Sequence, residues 1–192
     1  LQARFDEENN LWWSNRLKDH GANVIYGLQN LKVHSKLLQI KRISEGKTQY
    51  LTYIGTGNFN EATATIYTDV ALLTADKEIS LEVSRVFGML ENNLERHAFR
   101  HLLVSPFNTR RKLLALIERE IKFAKAKKPA SIRLKFNNLT DVKMIEKLYA
   151  ASKAGVQIEL IIRGICCLKP GVKGLSEHIT AISIVDRYLE HT

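Results

Sequence analysis

Residues 131–164, SIRLKFNNLTDVKMIEKLYAASKAGVQIELIIRG, decide the fold of this chain. The segments SIRLKFN (131–137) and VQIELIIRG (156–164) are short and rich in branched apolar residues, which predicts strands. Between them, DVKMIEKLYAASKAG (141–155) carries apolar residues at helical spacing and ends on Gly155, a typical helix stop. Strands that alternate with helices predict an α/β fold with a mostly parallel or mixed sheet.

The same alternation continues on both sides of this stretch. The further predicted elements are a helix over 6–20, a strand over 22–27, a hairpin of strands over 34–43 and 48–56, a strand over 67–75, helices over 77–97 and 110–128, and a strand, or strand plus turn, over 179–192. Ser105 and Pro106 interrupt the pattern, so we predict a boundary between domains over 1–105 and 106–192.

The composition is that of a globular protein with excess positive charge. Of 192 residues, 45% are hydrophobic, and 29 Lys and Arg outweigh 20 Asp and Glu to give a net charge of +9. This charge favours anionic partners such as nucleic acid, phosphorylated metabolites, polyphosphate or anionic membrane, without choosing among them. The only cysteines, Cys166 and Cys167, are adjacent, so we expect a reducing compartment rather than a disulfide framework. No apolar run is long enough to span a bilayer.

The segment KVHSKLLQI (32–40) places two polar side chains in an otherwise apolar predicted strand. Because successive strand residues face opposite sides, His34, Lys36 and Leu38 should share one face. A buried Lys beside a His is costly unless an anion lies there, so this face predicts an anionic ligand.

A faint internal repeat adds a second histidine. The segments 17–27 and 151–164 both read as helix, Gly, strand and Gly, and they are followed by His34 and His191 respectively. Two imidazoles near cations suit nucleophilic attack on phosphorus followed by transfer. For any single His, a residue satisfied by ordinary hydrogen bonds is the more common role.

Two further segments suggest phosphate contacts. In GTGNFN (55–60) the glycines let backbone approach a ligand, and Asn58 or Asn60 can donate an amide hydrogen to a phosphate oxygen; a plain turn is the simpler alternative. Arg163, at a predicted strand end, can grip phosphate with two hydrogen bonds, although a surface salt bridge would also explain it.

Several longer strings together resemble bacterial polyphosphate kinase of the first type, over essentially the whole chain. They are LQARFDEENN (1–10), NLKVHSKL (30–37), IGTGNFNEATATIYTDVALLTAD (54–76), AGVQIELIIRGICCLKPGV (154–172) and YLEH (188–191). The resemblance implies two phospholipase D-like α/β domains with mixed sheets. Residues 1–105 would be the first C-terminal catalytic domain, incomplete at its start, and 106–192 a truncated second. It also implies reversible transfer of the ATP γ-phosphate to inorganic polyphosphate through a phosphohistidine, with Mg²⁺.

The resemblance also implies roles for individual residues. It makes His34 the phosphorylated nucleophile and His191 a second active-site histidine that contacts nucleotide or acts as acid or base. Tyr67 and Arg163 would contact the nucleotide. To these we add Lys36, which would neutralise charge beside His34, and Asn58 as a phosphate contact.

Arg4 matches a residue that the resembled family associates with Mg²⁺. A guanidinium has no lone pair to give a cation, so we expect Arg4 to clamp the metal-bound phosphate instead. The resemblance further implies a cytoplasmic homo-oligomer whose substrates are ATP or ADP and polyphosphate, with no nucleic acid. Peripheral association with the inner membrane stays open, and we expect these 192 residues alone to be inactive.

Two alternative functions stay open at this point. A phospholipase D-like hydrolase would use the same two histidines on a phosphodiester, but such proteins carry Asp where this chain has Lys41. A basic module that only binds anions would need no covalent chemistry. Transfer of label from ATP onto a histidine separates the phosphotransferase from both.

Overall fold

The computed structural model describes residues 7–28, 30–91 and 98–192. Its elements are α1 (Glu7–Asp19), β1 (Lys36–Ser44), β2 (Lys47–Gly55), α2 (Glu61–Ala64), β3 (Tyr67–Thr68), β4 (Ala71–Thr74), α3 (Lys77–Glu91), α4 (Thr109–Lys125), β5 (Ser131–Phe136), α5 (Val142–Lys153), β6 (Gln157–Ile162), β7 (Ile179–Ile182) and β8 (Leu189–Glu190). The chain forms two compact units. The first contains Leu1–Ile54 and Leu72–His101, and the second contains Gly55–Ala71 and Leu102–Thr192.

The first unit is organised by a sheet in the order β1-β2-β4, with α3 against β1. The predicted hairpin is confirmed: β1 and β2 are joined through Glu45 and Gly46, whose φ angles are 52° and 69°. Two consecutive positive φ angles characterise a type I′ turn, whose twist matches that of the paired strands. The turn therefore sets the register of the strand that begins at Lys36.

A partly buried polar network joins this sheet to α3. Gln39 Nε2 donates to Thr52 Oγ1 at 3.0 Å and to the Ser80 carbonyl oxygen at 2.7 Å, while Ser84 Oγ donates to Gln39 Oε1 at 2.6 Å. Thr52 Oγ1 donates in turn to Ser80 Oγ at 2.9 Å, and both residues are buried. A hydrogen-bonded network of this kind fixes β1 against the helix.

Three side chains on one face of α3 hold the segment that follows it. Glu82, which is 3% exposed, accepts hydrogen bonds from the backbone amides of Arg100 at 2.6 Å and His101 at 3.0 Å. Glu78 pairs with His101 Nε2 at 2.7 Å, and Arg85 donates to the carbonyl oxygen of Ala98 at 3.3 Å. Helical spacing puts the three α3 residues in one row, so the segment is fastened along the helix.

The second unit contains the predicted strand–helix–strand stretch. Strands β5, β6 and β7 form a parallel sheet in which Ile132 pairs with Ile158 and Ile158 with Ile179. Helices α4 and α5 pack with it around a core that includes the fully buried Leu148. Asp141 caps α5 by accepting from the Met144 amide at 3.0 Å, so the helix begins where the sequence predicts.

A second, two-stranded sheet ties the end of the chain to a segment far upstream. β3 and β8 are parallel, with Tyr67 opposite Leu189 and Thr68 opposite Glu190. Residues 55–71 belong to the second unit for this reason, although the chain on both sides of them belongs to the first. The mixed α/β fold class is confirmed.

Three predicted elements are wrong in detail. Residues 22–27 form no strand; Gly21 and Gly27, with φ angles of 84° and 88°, bound them. The strand predicted over 67–75 is divided into β3 and β4, because Val70 turns back to bond with Thr56. The strand predicted from His34 begins at Lys36.

The shorter strand corrects the argument that placed His34 on a buried strand face. His34 is exposed and precedes β1, and only Lys36 is buried. Lys36 Nζ donates to the His34 carbonyl oxygen at 2.7 Å. This bond occupies the carbonyl oxygen in place of a hydrogen bond to a neighbouring strand. The helix predicted over 77–97 is described to Glu91, and its last residues, 92–97, lie outside the described residues. Across the described chain, no helix is long and apolar enough to cross a membrane.

Candidate active site

His34 and Lys36 form a hydrogen-bonded pair in the first unit. Lys36 Nζ lies 3.2 Å from His34 Nδ1 and 3.4 Å from Nε2, and Lys36 is 8% exposed. An ammonium only donates, so the ring nitrogen that bonds it acts as an acceptor. An oxyanion attached to either ring nitrogen would lie beside this ammonium, so the pair suits a phosphoryl group.

His191 and Asp69 form a second pair, in the second unit. His191 Nδ1 lies 2.8 Å from Asp69 Oδ1, and the two side chains are 16% and 24% exposed. The β3–β8 pairing creates this contact, because the His191 amide donates to the Thr68 carbonyl oxygen at 3.2 Å. An ionised carboxylate only accepts, so Nδ1 carries a hydrogen and Nε2 is the ring nitrogen left for other partners.

The aromatic ring of Tyr67 lies beside the His191 ring. Its ring centroid is 5.1 Å from that of His191, with the planes inclined at 40°. The two residues come from the paired strands β3 and β8 or directly follow them, so backbone pairing sets their spacing. Of the predicted nucleotide contacts, Tyr67 and His191 are therefore brought together.

The GTGNFN segment supports Asp69 rather than acting only as a turn. Thr56 Oγ1 donates to Asp69 Oδ1 at 2.8 Å. A Cβ atom on Gly57 would lie 2.6 Å from Asp69 Oδ2, so only glycine leaves room for the carboxylate. Asn60 caps α2 through a bond from the Thr63 amide at 3.0 Å, whereas the predicted phosphate contact Asn58 is exposed.

Asp69 is the residue of this site that sequence reasoning missed. It lies within the segment 67–75, which reads as a continuous strand, and its partner His191 is 122 residues away. A carboxylate inside an otherwise apolar strand pattern is the one signal that could have indicated it, since such a break often marks a functional position.

Arg163 directly follows β6 in a closely packed loop of the second unit. Its amide donates to the Phe136 carbonyl oxygen at 3.4 Å, and the Gly164 amide donates to that of Asn137 at 2.9 Å. A Cβ atom on Gly164 would lie 2.3 Å from Asn138 Oδ1, so glycine is required for the two loops to meet. Arg163 therefore stands at the carboxyl edge of the parallel sheet, where α/β proteins bind ligands.

The residue before His191 is held by a basic neighbour. Lys135 Nζ donates to Glu190 Oε2, and this hydrogen bond is the main reason why the pKa of Glu190 lies below its usual value. Partial burial of the carboxylate raises the pKa of Glu190, but by less than the hydrogen bond lowers it. The pair therefore fastens β8 to β5 through side chains.

The described residues do not by themselves form a metal site. Within 7–28, 30–91 and 98–192, no group of three or more His, Cys, Asp or Glu side chains is placed to hold a metal ion. Arg4, which the family resemblance associates with Mg²⁺, lies outside the described residues. These side chains therefore do not fit a magnesium ion held by the protein alone.

Comparison with known proteins identifies the family. Residues 1–96 match the model of polyphosphate kinase C-terminal domain 1, and residues 102–192 match that of C-terminal domain 2. The chain belongs to the polyphosphate kinase family. This confirms the resemblance found in the sequence.

Individual polyphosphate kinases match the whole chain. That of Vibrio vulnificus (strain YJ016) is 56% identical over 191 residues, covering 100% of this chain and 27% of the relative. That of Escherichia coli (strain K12) is 51% identical, with 100% and 28% covered. The crystal structure of polyphosphate kinase from Porphyromonas gingivalis superposes with a TM-score of 0.86 at 44% identity, covering 100% of this chain and 32% of that one. The chain thus has a polyphosphate kinase fold and spans just over a quarter of these relatives in sequence.

Proposed function

We propose that the longer protein containing these residues transfers the γ-phosphate of ATP reversibly to inorganic polyphosphate. Family membership supports the substrates, because the relatives are named polyphosphate kinases. The observation that carries the chemistry is the contact between Lys36 and the His34 ring, 3.2 Å from Nδ1. It supplies a nucleophile and a fixed positive charge at one point.

In the proposed first step, a ring nitrogen of His34 attacks the γ-phosphorus of ATP. The nitrogen–phosphorus bond forms, the bond to the oxygen that bridges the β- and γ-phosphates breaks, and ADP leaves with that electron pair. Lys36 neutralises the phosphoryl oxygens throughout. In the second step a terminal oxygen of polyphosphate attacks the same phosphorus, the nitrogen–phosphorus bond breaks and His34 is restored.

His191 would serve the leaving and entering oxygens. Asp69 accepts from Nδ1, which fixes the ring orientation and leaves Nε2 as the donor or acceptor. In this proposal Tyr67 stacks near the nucleotide, and Arg163 and Asn58 bind its phosphates. Each of these roles is a prediction that substitution can test.

The remaining proposals concern the longer protein. We infer that Mg²⁺ arrives with the nucleotide as part of the substrate, with Arg4 clamping the phosphate that carries it. The domain boundary near residue 105, the homo-oligomer, the cytoplasmic location and peripheral contact with the inner membrane stay predictions.

The experiment uses the full-length protein and ATP labelled in the γ-phosphate. We expect acid-labile, base-stable label on the protein, and its loss in His34→Ala. His178→Ala is the matched control, because that histidine is in the second unit and pairs with Gln157 at 3.2 Å. Label that persists in His34→Ala would remove the nucleophile assignment. Complete absence of label from the unaltered protein would favour a module that only binds anions.

A further inference from the structure

We propose that Thr56 is a positioning residue for this reaction, acting through Asp69 on His191. The inference rests on the proposed function and adds a residue that family resemblance did not single out. It starts from one oxygen atom, Asp69 Oδ1, which lies 2.8 Å from Thr56 Oγ1 and 2.8 Å from His191 Nδ1.

The Thr56 hydroxyl is itself held in direction. The Val70 amide donates to Thr56 Oγ1 at 3.1 Å, and the Thr56 amide donates to the Val70 carbonyl oxygen at 3.0 Å. The hydroxyl hydrogen has two acceptors within reach, Asp69 Oδ1 at 2.8 Å and the Val70 carbonyl oxygen at 3.4 Å, and the shorter contact is the one to Asp69. A chain of hydrogen bonds thus runs from the Val70 backbone through Thr56 and Asp69 to His191.

This support matters because the last torsion of an Asp side chain is soft. The carboxylate plane turns easily unless both oxygens are constrained. Thr56 constrains Oδ1, and Gly57 leaves open the space that Oδ2 occupies, since a Cβ there would lie only 2.6 Å from it. The orientation of the carboxylate is therefore set by two adjacent residues of GTGNFN.

The consequence for His191 is a defined tautomer. With Oδ1 fixed opposite Nδ1, the hydrogen stays on Nδ1 and Nε2 is the nitrogen that faces substrate. Without the Thr56 hydroxyl, Asp69 loses one of the hydrogen bonds that keep Oδ1 opposite His191 Nδ1. The effect should appear in turnover more than in substrate binding, since no contact with substrate is removed.

The test compares Thr56→Val, which keeps the shape, with Thr56→Ser, which keeps the hydroxyl, in the full-length enzyme. We expect Thr56→Val to lower kcat about tenfold, the effect of one lost hydrogen bond, with little change in KM for ATP. Thr56→Ser should restore most of the turnover. Thr65→Val is the matched control, because its hydroxyl bonds only the nearby Ala62 carbonyl oxygen among the contacts described.

A double-mutant cycle decides whether Thr56 acts through Asp69. In an Asp69→Asn background, Thr56→Val should change kcat by less than about twofold further. Independent, multiplying losses would overturn the inference, as would a Thr56→Ser enzyme as slow as Thr56→Val, or a rise in KM with unchanged kcat. Turnover that never passes through labelled His34 would overturn the proposed function instead, while the coupling between Thr56 and Asp69 still decides this inference.

Discussion

Asp69 receives two hydrogen bonds on one oxygen and lies against Gly57 with the other. Its carboxylate therefore depends on a residue type that contributes no side chain at all. At the residue scale, this gives the GTGNFN segment a role that differs from direct phosphate binding. Gly57 leaves space for the Asp69 carboxylate, and that carboxylate orients the His191 imidazole.

Gly57→Ala is expected to lower kcat by about tenfold or more in the full-length enzyme. The new Cβ would lie 2.6 Å from Asp69 Oδ2 and 2.7 Å from its Cγ, so the carboxylate must move away from His191. Steady-state phosphotransfer measures the loss. The control is Gly88→Ala, where the added Cβ meets no atom within 4 Å. It should keep activity and stabilise α3 by about 0.5–1 kcal/mol. Equal activities in the two variants would contradict the argument.

Lys135→Met should weaken the acid sensitivity of the second unit. The hydrogen bond from Lys135 lowers the pKa of Glu190, so the pair stabilises the folded state fully above the ordinary Glu pKa of about 4.3. That contribution is lost as pH falls through the lower folded value. Calorimetric unfolding between about pH 3 and 7 should show a shallower decline in the variant than in the unaltered protein. Parallel declines would contradict the assignment.

Residue types at the site were partly predictable from sequence. His34 and His191 were indicated both by the residue pattern and by the family resemblance, Lys36 by the pattern alone and Tyr67 by the resemblance alone. Asp69 was not predicted, because the local sequence shows at most a carboxylate in an apolar strand pattern and does not indicate a partner 122 residues away. The burial of Lys36 agrees with the alternating sequence pattern. The exposure of His34 does not, because Lys36 Nζ bonds the His34 carbonyl oxygen and the strand begins only at Lys36.

At the element scale, α3 makes two sets of contacts: it packs against the sheet of the first unit, and it binds the backbone of residues 98–101. One face contributes Ser80 and Ser84 to the network around Gln39. Another contributes Glu82 to the amides of Arg100 and His101. A single helix thus fixes the strand that follows His34 and the backbone that leaves the unit.

Glu82→Gln should loosen that fastening. The amide side chain can accept fewer hydrogen bonds than a carboxylate, and one buried unsatisfied group costs about 1–3 kcal/mol. Hydrogen exchange at the amides of Arg100 and His101 should therefore accelerate roughly 5–150-fold. Glu78→Gln provides the comparison, because its bond to His101 is solvent-exposed and worth about 0–1 kcal/mol. Unchanged exchange in Glu82→Gln would show that other contacts hold the segment.

Elements with complete local signals were predicted well. The strand–helix–strand stretch over 131–164 has apolar periodicity, an Asp cap and a terminal Gly, and the structure reproduces each part. The division of 67–75 into β3 and β4 was not predictable in the same way. Its cause is pairing with β8 on one side and with the first sheet on the other, and neither partner is near in sequence.

For the whole molecule, the described core is unevenly divided. The cluster of buried hydrophobic residues around Leu148, Ile158 and Leu160 lies in the second unit. In the first unit the buried hydrophobic residues described are Val83, Val86, Met89 and Phe99. We therefore expect the second unit to hold its backbone more firmly.

Leu148→Ala should test the importance of that core. Leu148 is 0% exposed, and such truncations cost about 2–5 kcal/mol. Amide exchange in β5 and β6 should accelerate accordingly. Val142→Ala, on the same helix but 66% exposed, should leave those amides nearly unchanged. Similar exchange in both variants would mean that the sheet is held by something other than this packing.

The interleaving of the two units has a consequence for how the protein is made. Thr68 emerges from the ribosome 121 residues before Leu189, whose backbone oxygen it contacts. At about 5–20 residues per second, β3 waits roughly 6–24 s for β8. During translation Asp69 therefore has no histidine to orient. We infer that the pairing of Asp69 with His191 forms only after β8 has been synthesised.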